Sequence, residues 1–189
     1  MEQRQAWFDN QPDLDPERLI FIDETGVDTK MARRFGRSPR GERCLAAVPH
    51  GHWKTTTFTA ALRLNGITAP FILEGPMDGD GFLAYVEQVL VPTLKPGDIV
   101  IADNLPAHKV AGVQKAIENA DASLHYLPPY SPDFNPIEMA ISKIKTLLRK
   151  RGARRITALF FAIGEALESI TADDAVAYIR KRGYAAMAA

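Results

Sequence analysis

Three acidic residues of this 189-residue chain stand where a sheet protein could bring distant carboxylates together. Asp23 and Asp103 each follow a short apolar run, and Glu138 stands at the start of a helical pattern. The ends of strands and the loops that follow them meet at one edge of a sheet, where such folds place their chemistry. Carboxylates are hard oxygen ligands that suit Mg²⁺ or Mn²⁺. Two such ions about 4 Å apart could activate water or a 3′-hydroxyl for in-line cleavage of a phosphodiester.

Each acid also has an ordinary structural explanation. Asp23 and Asp103 could simply end strands, and Glu138 could be no more than the acidic partner in a capping box that begins at Asn135. Glu24, which adjoins Asp23, should point to the opposite face because side chains alternate along a strand. We therefore leave Glu24 out of the expected metal site.

The first half of the chain predicts the strands that must position Asp23. Residues 19–22 form a short apolar run that predicts a strand with Asp23 at its C-terminal tip. Residues 55–73 predict two antiparallel strands joined at Asn65 and Gly66, because this dipeptide is the strongest short hairpin signal. Three antiparallel strands are therefore expected before the first long helix.

The middle of the chain predicts a strand, helix, strand unit that delivers Asp103. Residues 79–94 repeat apolar positions at helical spacing, and 98–102 read as a buried strand with Asp103 directly after it. A helix over 107–120 and a strand over 123–127 complete the unit, which favours parallel pairing.

The last third of the chain is predicted to be helical. Asn135 is a good N-cap and Pro136 suits a first helical turn, so a helix should begin just before Glu138. Helices over about 136–150, 155–170 and 172–182 should pack against the sheet.

This order of elements is that of an α/β, ribonuclease H-like fold: a mixed central sheet flanked by helices, with a helical C-terminal third. The length suits one domain. We expect a linker segment over 1–18, the catalytic domain over 19–184 and a tail over 185–189.

The net charge is zero, but the positive charges are concentrated in two windows. Both windows could be ordinary solvated surfaces, yet each lies close in sequence to a candidate acid, which favours contact with DNA phosphates. The windows contain Lys30, Arg33, Arg34, Arg37, Arg40 and Arg43 in the first and Lys143, Lys145, Arg149, Lys150, Arg151, Arg154 and Arg155 in the second.

Several further residues could support the site. Asn104 could orient Asp103 or a water molecule, or it could simply form a turn. His108 could contact a phosphate or shuttle a proton, or it could be an exposed residue in the first turn of a helix. Tyr130 precedes Glu138 on a proline-rich loop and could touch the DNA backbone or pack. Trp7 and Trp53, by contrast, are expected to be core or interface aromatics.

Composition excludes other classes of function. Cys44 has no second cysteine to pair with, and we expect it to be a small buried residue without chemistry. No apolar run approaches the roughly 20 residues that span a bilayer, and the N-terminus is unlike a signal peptide. A cytoplasmic protein without a membrane partner is therefore expected, associated with the nucleoid if it acts on DNA.

Four stretches of sequence carry a family resemblance. In chain order they are FIDETG, GRSPRGERC, PGDIVIADNLPAHK and LPPYSPDFNPIE. Together they closely resemble the bacterial insertion-sequence branch of the Tc/mariner superfamily of DDE transposases, and the resemblance runs from about Leu14 to Tyr184. It implies that Asp23, Asp103 and Glu138 are the three catalytic, metal-binding acids. The 34 residues between the second and third acids, 104–137, are the interval that the resemblance leads us to expect.

The resemblance also implies an activity and its partners. Such enzymes cut DNA at transposon ends and join the 3′-hydroxyl to target DNA, here expected at TA dinucleotides, with two divalent ions and as a homodimer. Relatives carry N-terminal helix-turn-helix domains that this chain lacks, so a separate recognition subunit or a missing domain is expected. Met139, Ala140 and Ile141 stand where many relatives have an aromatic residue. A nuclease or resolvase without strand transfer, and an inactive DNA-binding remnant, are the alternatives.

Overall fold

The computed structural model describes most of the chain, in the ranges 2–33, 35–47, 49–50 and 56–184. The predictions made for Arg34, Trp53 and the tail 185–189 lie outside these ranges.

From β1 onward, helices and strands follow one another in the predicted order, and an additional helix, α1, precedes them. The helices are α1 (Glu2–Asn10), α2 (Gly79–Tyr85), α3 (Val113–Glu118), α4 (Ile137–Arg151), α5 (Ile156–Glu168) and α6 (Ala172–Lys181). The strands are β1 (Leu19–Val27), β2 (Thr56–Arg63), β3 (Gly66–Glu74), β4 (Ile99–Ala102) and β5 (Ser123–Tyr126).

A single mixed sheet is formed by these strands in the order β3-β2-β1-β4-β5. The pairs β1–β2 and β2–β3 are antiparallel, whereas β1–β4 and β4–β5 are parallel. The predicted hairpin is confirmed, with Gly66 at a φ of 120° that a residue with a side chain rarely adopts. The α/β class, the mixed sheet and the helical C-terminal third are confirmed.

The sheet separates two apolar cores, and β1 contributes to both because its side chains alternate. Leu19 and Phe21 belong to the core under α4, α5 and α6, while Ile20 and Ile22 belong to the core under α2 and α3. All four are fully or almost fully buried. Burial of each such side chain contributes roughly 1.5–3 kcal/mol, so the central strand that carries Asp23 is firmly held.

Strand β1 differs from the prediction because it does not end at Asp23. Its parallel pairing with β4 stops at Phe21 opposite Ile101, but its antiparallel pairing with β2 continues to Val27 opposite Thr56. The hairpin partner keeps the strand extended through the polar residues. Asp23 therefore lies inside a strand, just beyond the end of the neighbouring strand β4.

Two predicted helices also differ in detail. The segment 107–120 is a 3₁₀ turn at Pro106–Lys109 followed by α3, and the two are separated at Gly112, whose φ of 105° is incompatible with a continuous helix. The segment predicted over 79–94 is helical as far as Thr93, but after α2 it widens to a π-type turn at Val86–Leu90 and tightens to a 3₁₀ turn at Val91–Thr93.

The segment before β1 is ordered structure and not an extended linker. Helix α1 covers most of it, and Trp7 packs against the core and donates a hydrogen bond from Nε1 to the Tyr184 hydroxyl at 3.3 Å. The expectation that Cys44 is buried is wrong: it lies in the connection between β1 and β2, where residues 35–47 are all exposed and leave it open to solvent. Among the described helices, none is long and apolar enough to cross a membrane.

Candidate active site

The three acids singled out from the sequence line one pocket, although they come from distant parts of the chain. Asp23 comes from β1, Asp103 from the residue after β4 and Glu138 from the first turn of α4. The cavity has a volume of about 310 Å³. Its other walls include Asn104, Leu105, Pro129, Tyr130 and Asn135.

Asp23 is the acid in the least favourable electrostatic environment. Its Oδ1 accepts a hydrogen bond from the Glu24 backbone N–H at 2.8 Å. Burial, and then repulsion by the Glu138 carboxylate, raise the pKa of Asp23 to about 8, with a smaller contribution from Asp103. The pocket therefore disfavours the negative charge that it contains, and a bound cation would relieve that cost.

Asp103 is held on one of its two oxygens. Its Oδ1 contacts Nδ1 of His108 and accepts a hydrogen bond from the Leu105 backbone N–H at 3.3 Å. Its Oδ2 has no hydrogen-bond partner among the described residues. The side chain remains 34% exposed. Contacts at Oδ1 thus hold the Asp103 carboxylate in place, while Oδ2 remains available to a ligand in the pocket.

Glu138 does not take part in a capping box at the start of α4. Asn135 does not cap α4 with its side chain, and the helix begins at Ile137 without the reciprocal hydrogen bonds of a capping box. The capping explanation of Glu138 is therefore wrong for this structure. An acid in the first turn is still favoured by the helix dipole.

The loop that leads to Glu138 is supported from behind by Tyr184. This fully buried side chain donates a hydrogen bond to the Phe134 carbonyl at 2.9 Å. Its ring packs edge-on against Phe21 of β1 with centroids 4.8 Å apart. Tyr184 therefore joins the strand of Asp23 to the loop of Glu138.

The donor set of the pocket fits a divalent cation bound by oxygen. Besides the three carboxylates, the carboxamide oxygens of Asn104 and Asn135 are buried and have no hydrogen-bond partner among the described residues. Yet no three acidic, histidine or cysteine side chains among the described residues form a ready ligand group. The expectation that the three acids share divalent metal therefore stays a prediction.

His108 is buried against Asp103 and does not line the pocket. It is 1% exposed, and its ring stacks on Phe82 with centroids 4.1 Å apart. The expectation that it touches a phosphate is therefore wrong for this arrangement. Burial lowers its pKa, but hydrogen bonds to Asp103 and Glu24 outweigh that effect and raise the pKa to about 10.

Glu24 is the residue that sequence reasoning undervalued. It does not line the pocket, as strand alternation predicts, but its Oε2 lies 2.8 Å from Nε2 of His108. The adjacent acids of the sequence DETG were a visible signal. The partner of Glu24 could not be identified, because His108 is 84 residues away.

Some basic side chains of the second window are held by contacts within the chain, whereas others are not. Lys143 forms an ion pair with Asp174 at 2.7 Å and hydrogen-bonds the Ser169 carbonyl at 2.8 Å. Arg154 donates to the carbonyls of Thr29 and Met31 at 2.9 and 3.0 Å, which ties it to the turn after β1. Both side chains therefore stabilise the fold.

The rest of this window differs in orientation. Lys145 and Arg149 follow Glu138 by seven and eleven residues, about two and three helical turns, so all three lie on roughly the same face of α4. Lys150 is exposed on another face, and Arg151 makes a long, exposed contact of 3.5 Å with Glu165. One face of α4 thus carries Glu138 at the pocket and, further along the helix, the basic residues Lys145 and Arg149.

Tyr130 stands at the mouth of the pocket on the proline-rich loop. Its side chain is 99% exposed, and its φ of 53° is unusual for a residue other than glycine. The loop is anchored by Arg4, which reaches Ser131 at 2.7 Å and Asp133 at 2.7–3.0 Å. Packing, one of the two roles considered for Tyr130, is excluded by its exposure.

A mixed five-stranded sheet that brings three acids to one pocket defines an α/β protein with an acidic, metal-competent site. The chain belongs to the DDE superfamily endonuclease family, whose sequence profile matches residues 18–159. No curated protein is significantly similar to the chain over its sequence.

Solved structures with the same fold come from Mos1 mariner transposase. The Mos1 catalytic domain is 14% identical, with 96% of this chain and 83% of that chain covered and a TM-score of 0.67. The Mos1 paired-end complex with left transposon end is 15% identical, with 95% and 56% covered and a TM-score of 0.71. The Mos1 strand transfer complex is 15% identical, with 96% and 55% covered and a TM-score of 0.70.

These similarities confirm the predicted ribonuclease H-like fold. The chain spans a little over half of the length of the Mos1 chains in the paired-end and strand transfer complexes and most of the isolated Mos1 catalytic domain.

Proposed function

We propose that this chain is the catalytic domain of a DDE transposase of the bacterial insertion-sequence branch of the Tc/mariner superfamily. It cleaves DNA at transposon ends and joins the freed 3′-hydroxyl to target DNA at TA dinucleotides. The observation that carries the proposal is the pocket itself. In a chain of the DDE endonuclease family, Asp23, Asp103 and Glu138 arrive from two strands and a helix at one cavity.

In this proposal the three acids hold Mg²⁺ or Mn²⁺, in the two-ion arrangement expected from the sequence. When bound, such ions activate the attacking hydroxyl and stabilise the leaving oxygen. The protein's own contribution is to place anionic oxygens on opposite walls of one pocket. Asn104 and Asn135 add unpartnered carboxamide oxygens that can accept hydrogen bonds from the attacking water or hydroxyl.

The DNA path follows the α4 face that bears Glu138. Lys145 and Arg149 can neutralise backbone phosphates along this face, and the exposed Lys150 can extend the contact. Tyr130, presented at the pocket mouth, contacts the strand near the cleaved bond. Lys143 is removed from the expected contacts by its ion pair, and Arg151 is assigned a minor part because it already faces Glu165.

The partners follow from this reaction. They are transposon-end and target DNA and a second copy of the chain, since joining one element needs both of its ends. Sequence-specific recognition of the ends requires helix-turn-helix domains, supplied by a separate subunit or by a domain outside this chain. A DNA substrate places the protein in the cytoplasm with the nucleoid.

A strand-transfer assay tests the proposal directly. The purified chain is incubated with supercoiled plasmid, pre-cut transposon ends and Mn²⁺ or Mg²⁺, and the joined products are sequenced. Joining at TA in a metal-dependent manner is expected. Nicking without joining would instead support a nuclease or resolvase, and DNA binding without either reaction would support an inactive remnant.

A further inference from the structure

We infer that His108 is a positioning residue that holds Asp103 in place for its ligand, and that Glu24 anchors His108 from the other side. This inference rests on the proposed function, because it assigns to Asp103 a ligand in the pocket. His108 does not line the pocket and is 1% exposed, so its contribution to the site acts through Asp103.

Both nitrogens and one face of the imidazole are held by contacts within the chain. Nε2 lies 2.8 Å from Oε2 of Glu24, and Nδ1 contacts Oδ1 of Asp103. One ring face stacks on Phe82 at 4.1 Å with an interplanar angle of 29°. The backbone carbonyl of His108 accepts a hydrogen bond from the Tyr126 hydroxyl at 2.8 Å. A ring held in this way has a single orientation, and it imposes that orientation on the carboxylate it meets.

These contacts exceed what an ordinary buried histidine needs. One partner on each nitrogen, such as a backbone carbonyl, would satisfy the ring. Here Nε2 meets the Glu24 carboxylate of β1, and Nδ1 contacts the Asp103 carboxylate on the loop after β4 as well as lying 3.4 Å from the Asp103 backbone carbonyl. The ring therefore bridges two acids that would otherwise repel each other across the junction of the two strands.

The contacts of Asp103 distinguish between its two carboxylate oxygens. His108 and the Leu105 N–H both approach Oδ1, which leaves Oδ2 as the oxygen that can face a ligand in the pocket. Hydrogen-bonding partners behind a metal ligand typically change metal affinity or activity by 10–100-fold when they are removed. The same range is expected here.

Two substitutions at His108 separate its two contacts. The amide nitrogen of asparagine occupies the place of Nδ1, whereas that of glutamine occupies the place of Nε2. His108→Asn therefore keeps the donor to Asp103 and loses Glu24, while His108→Gln keeps Glu24 and loses Asp103. The exposed His125, on β5, gives the matched control His125→Gln.

The measurement is the affinity of the DNA-free, 189-residue chain for Mn²⁺ by titration calorimetry, with cleavage rates against Mn²⁺ concentration as a second readout. His108→Gln should bind Mn²⁺ about 10–100-fold more weakly and recover cleavage at high Mn²⁺, whereas His108→Asn should lose less than about tenfold. His125→Gln should match the wild type. Asp103→Asn gives the Mn²⁺ affinity that remains when the Asp103 carboxylate is absent.

Each result decides between the possibilities. Equal Mn²⁺ affinity for His108→Gln and the wild type, or an equal loss in both His108 variants together with lower melting temperatures, would overturn the inference while leaving the proposed function intact. If the wild type neither binds Mn²⁺ nor cleaves DNA, both fail. If His108→Gln does not fold, Glu24→Ala decides, since freeing the ring should weaken Mn²⁺ binding and Glu24→Gln, which retains an acceptor, should restore it.

Discussion

Strand β4 is bounded by an aspartate at each end, and the two carboxylates differ in how fully the protein compensates their charge. Asp98, before the strand, is 5% exposed and receives hydrogen bonds from both Arg63 nitrogens and from the Lys95 N–H at 2.6 Å. Asp103, after the strand, keeps one oxygen without a partner among the described residues and shares its pocket with two more acids.

The difference between Asp98 and Asp103 distinguishes a structural acid from one that can bind a ligand. A fully compensated buried charge fixes two elements together, here the hairpin strand β2 and the start of β4. An incompletely compensated acid in a pocket is poised to bind something else, which is why such groups cluster at functional sites. The residue type is the same at both ends of β4, so the end of the strand and the partners found there decide the role.

The largest expected effect is the loss of reaction in Asp103→Asn. The substitution removes a metal-binding charge at nearly constant volume and leaves an oxygen to which His108 can donate. Loss of several kcal/mol of charge stabilisation corresponds to at least about a thousandfold slower cleavage and strand transfer. Circular dichroism should show an intact fold. Wild-type cleavage rates in Mg²⁺ would exclude Asp103 from the catalytic centre.

At the other end of β4, Asp98→Asn should affect stability and not chemistry. It leaves the Arg63 guanidinium, which is largely buried, without its charge partner. Breaking a buried pair in this way costs about 3 kcal/mol or more. Urea unfolding measures the loss, and the folded fraction should cleave at the wild-type rate. A stable but inactive variant would contradict the division between the two ends.

The basic side chains of the second window give a milder version of the same comparison. Replacing Lys145 and Arg149 together with alanine should lower the slope of log affinity against log salt by roughly 1.8, because each lost phosphate contact removes about 0.9. Binding should weaken uniformly across DNA sequences. Fluorescence anisotropy over a salt series measures this slope.

The matched control is the double substitution of Lys143 and Arg154, whose charges are already engaged within the chain. It should lower the melting temperature and leave the salt slope unchanged. An unchanged slope in the Lys145 and Arg149 variant, or an equal drop in the control, would remove this face of α4 from the DNA path.

The smallest effect is expected at the exposed pair of Arg4 and Asp133, on the loop that lines the pocket. The hydrogen bond from Arg4 lowers the pKa of Asp133, so the pair stabilises the fold above the unfolded-state pKa of the acid, near 3.9, and this contribution is lost as pH falls through the lower folded-state pKa. Exposed pairs contribute little.

Arg4→Gln should therefore melt slightly below the wild type at neutral pH, and the difference should disappear in acid. Melting curves across pH measure the difference. A difference that persists unchanged after Asp133 is protonated would show that Arg4 acts through Ser131 or through packing instead.

The sequence predicted the elements better than it predicted their neighbours. The hairpin at Gly66, the parallel unit around β4 and the C-terminal helices follow from local periodicity and turn chemistry, and all are present. The extension of β1 past Asp23 depends on pairing with β2, which is a tertiary effect. The break at Gly112 was visible in the sequence, but apolar spacing across it outweighed a single glycine.

The site shows the same limit. Motif spacing predicted that three acids would meet, and they line one pocket. It could not predict that Asp103 would be turned toward His108, or that Lys143 would be paired with Asp174 from α6, because those partners lie on elements brought together only by packing. Resemblance locates the acids, whereas only the three-dimensional arrangement shows which charges are already in use.

Tyr184 has a consequence for the order of assembly during synthesis. It is among the last residues of the described chain, yet it bridges the strand of Asp23 and the loop of Glu138. Translation supplies the N-terminal parts first, and contacts of long sequence separation form late because loop closure costs entropy. A nascent chain therefore carries the acids before the contacts that join their elements, and the pocket is completed only when the segment with Tyr184 has docked.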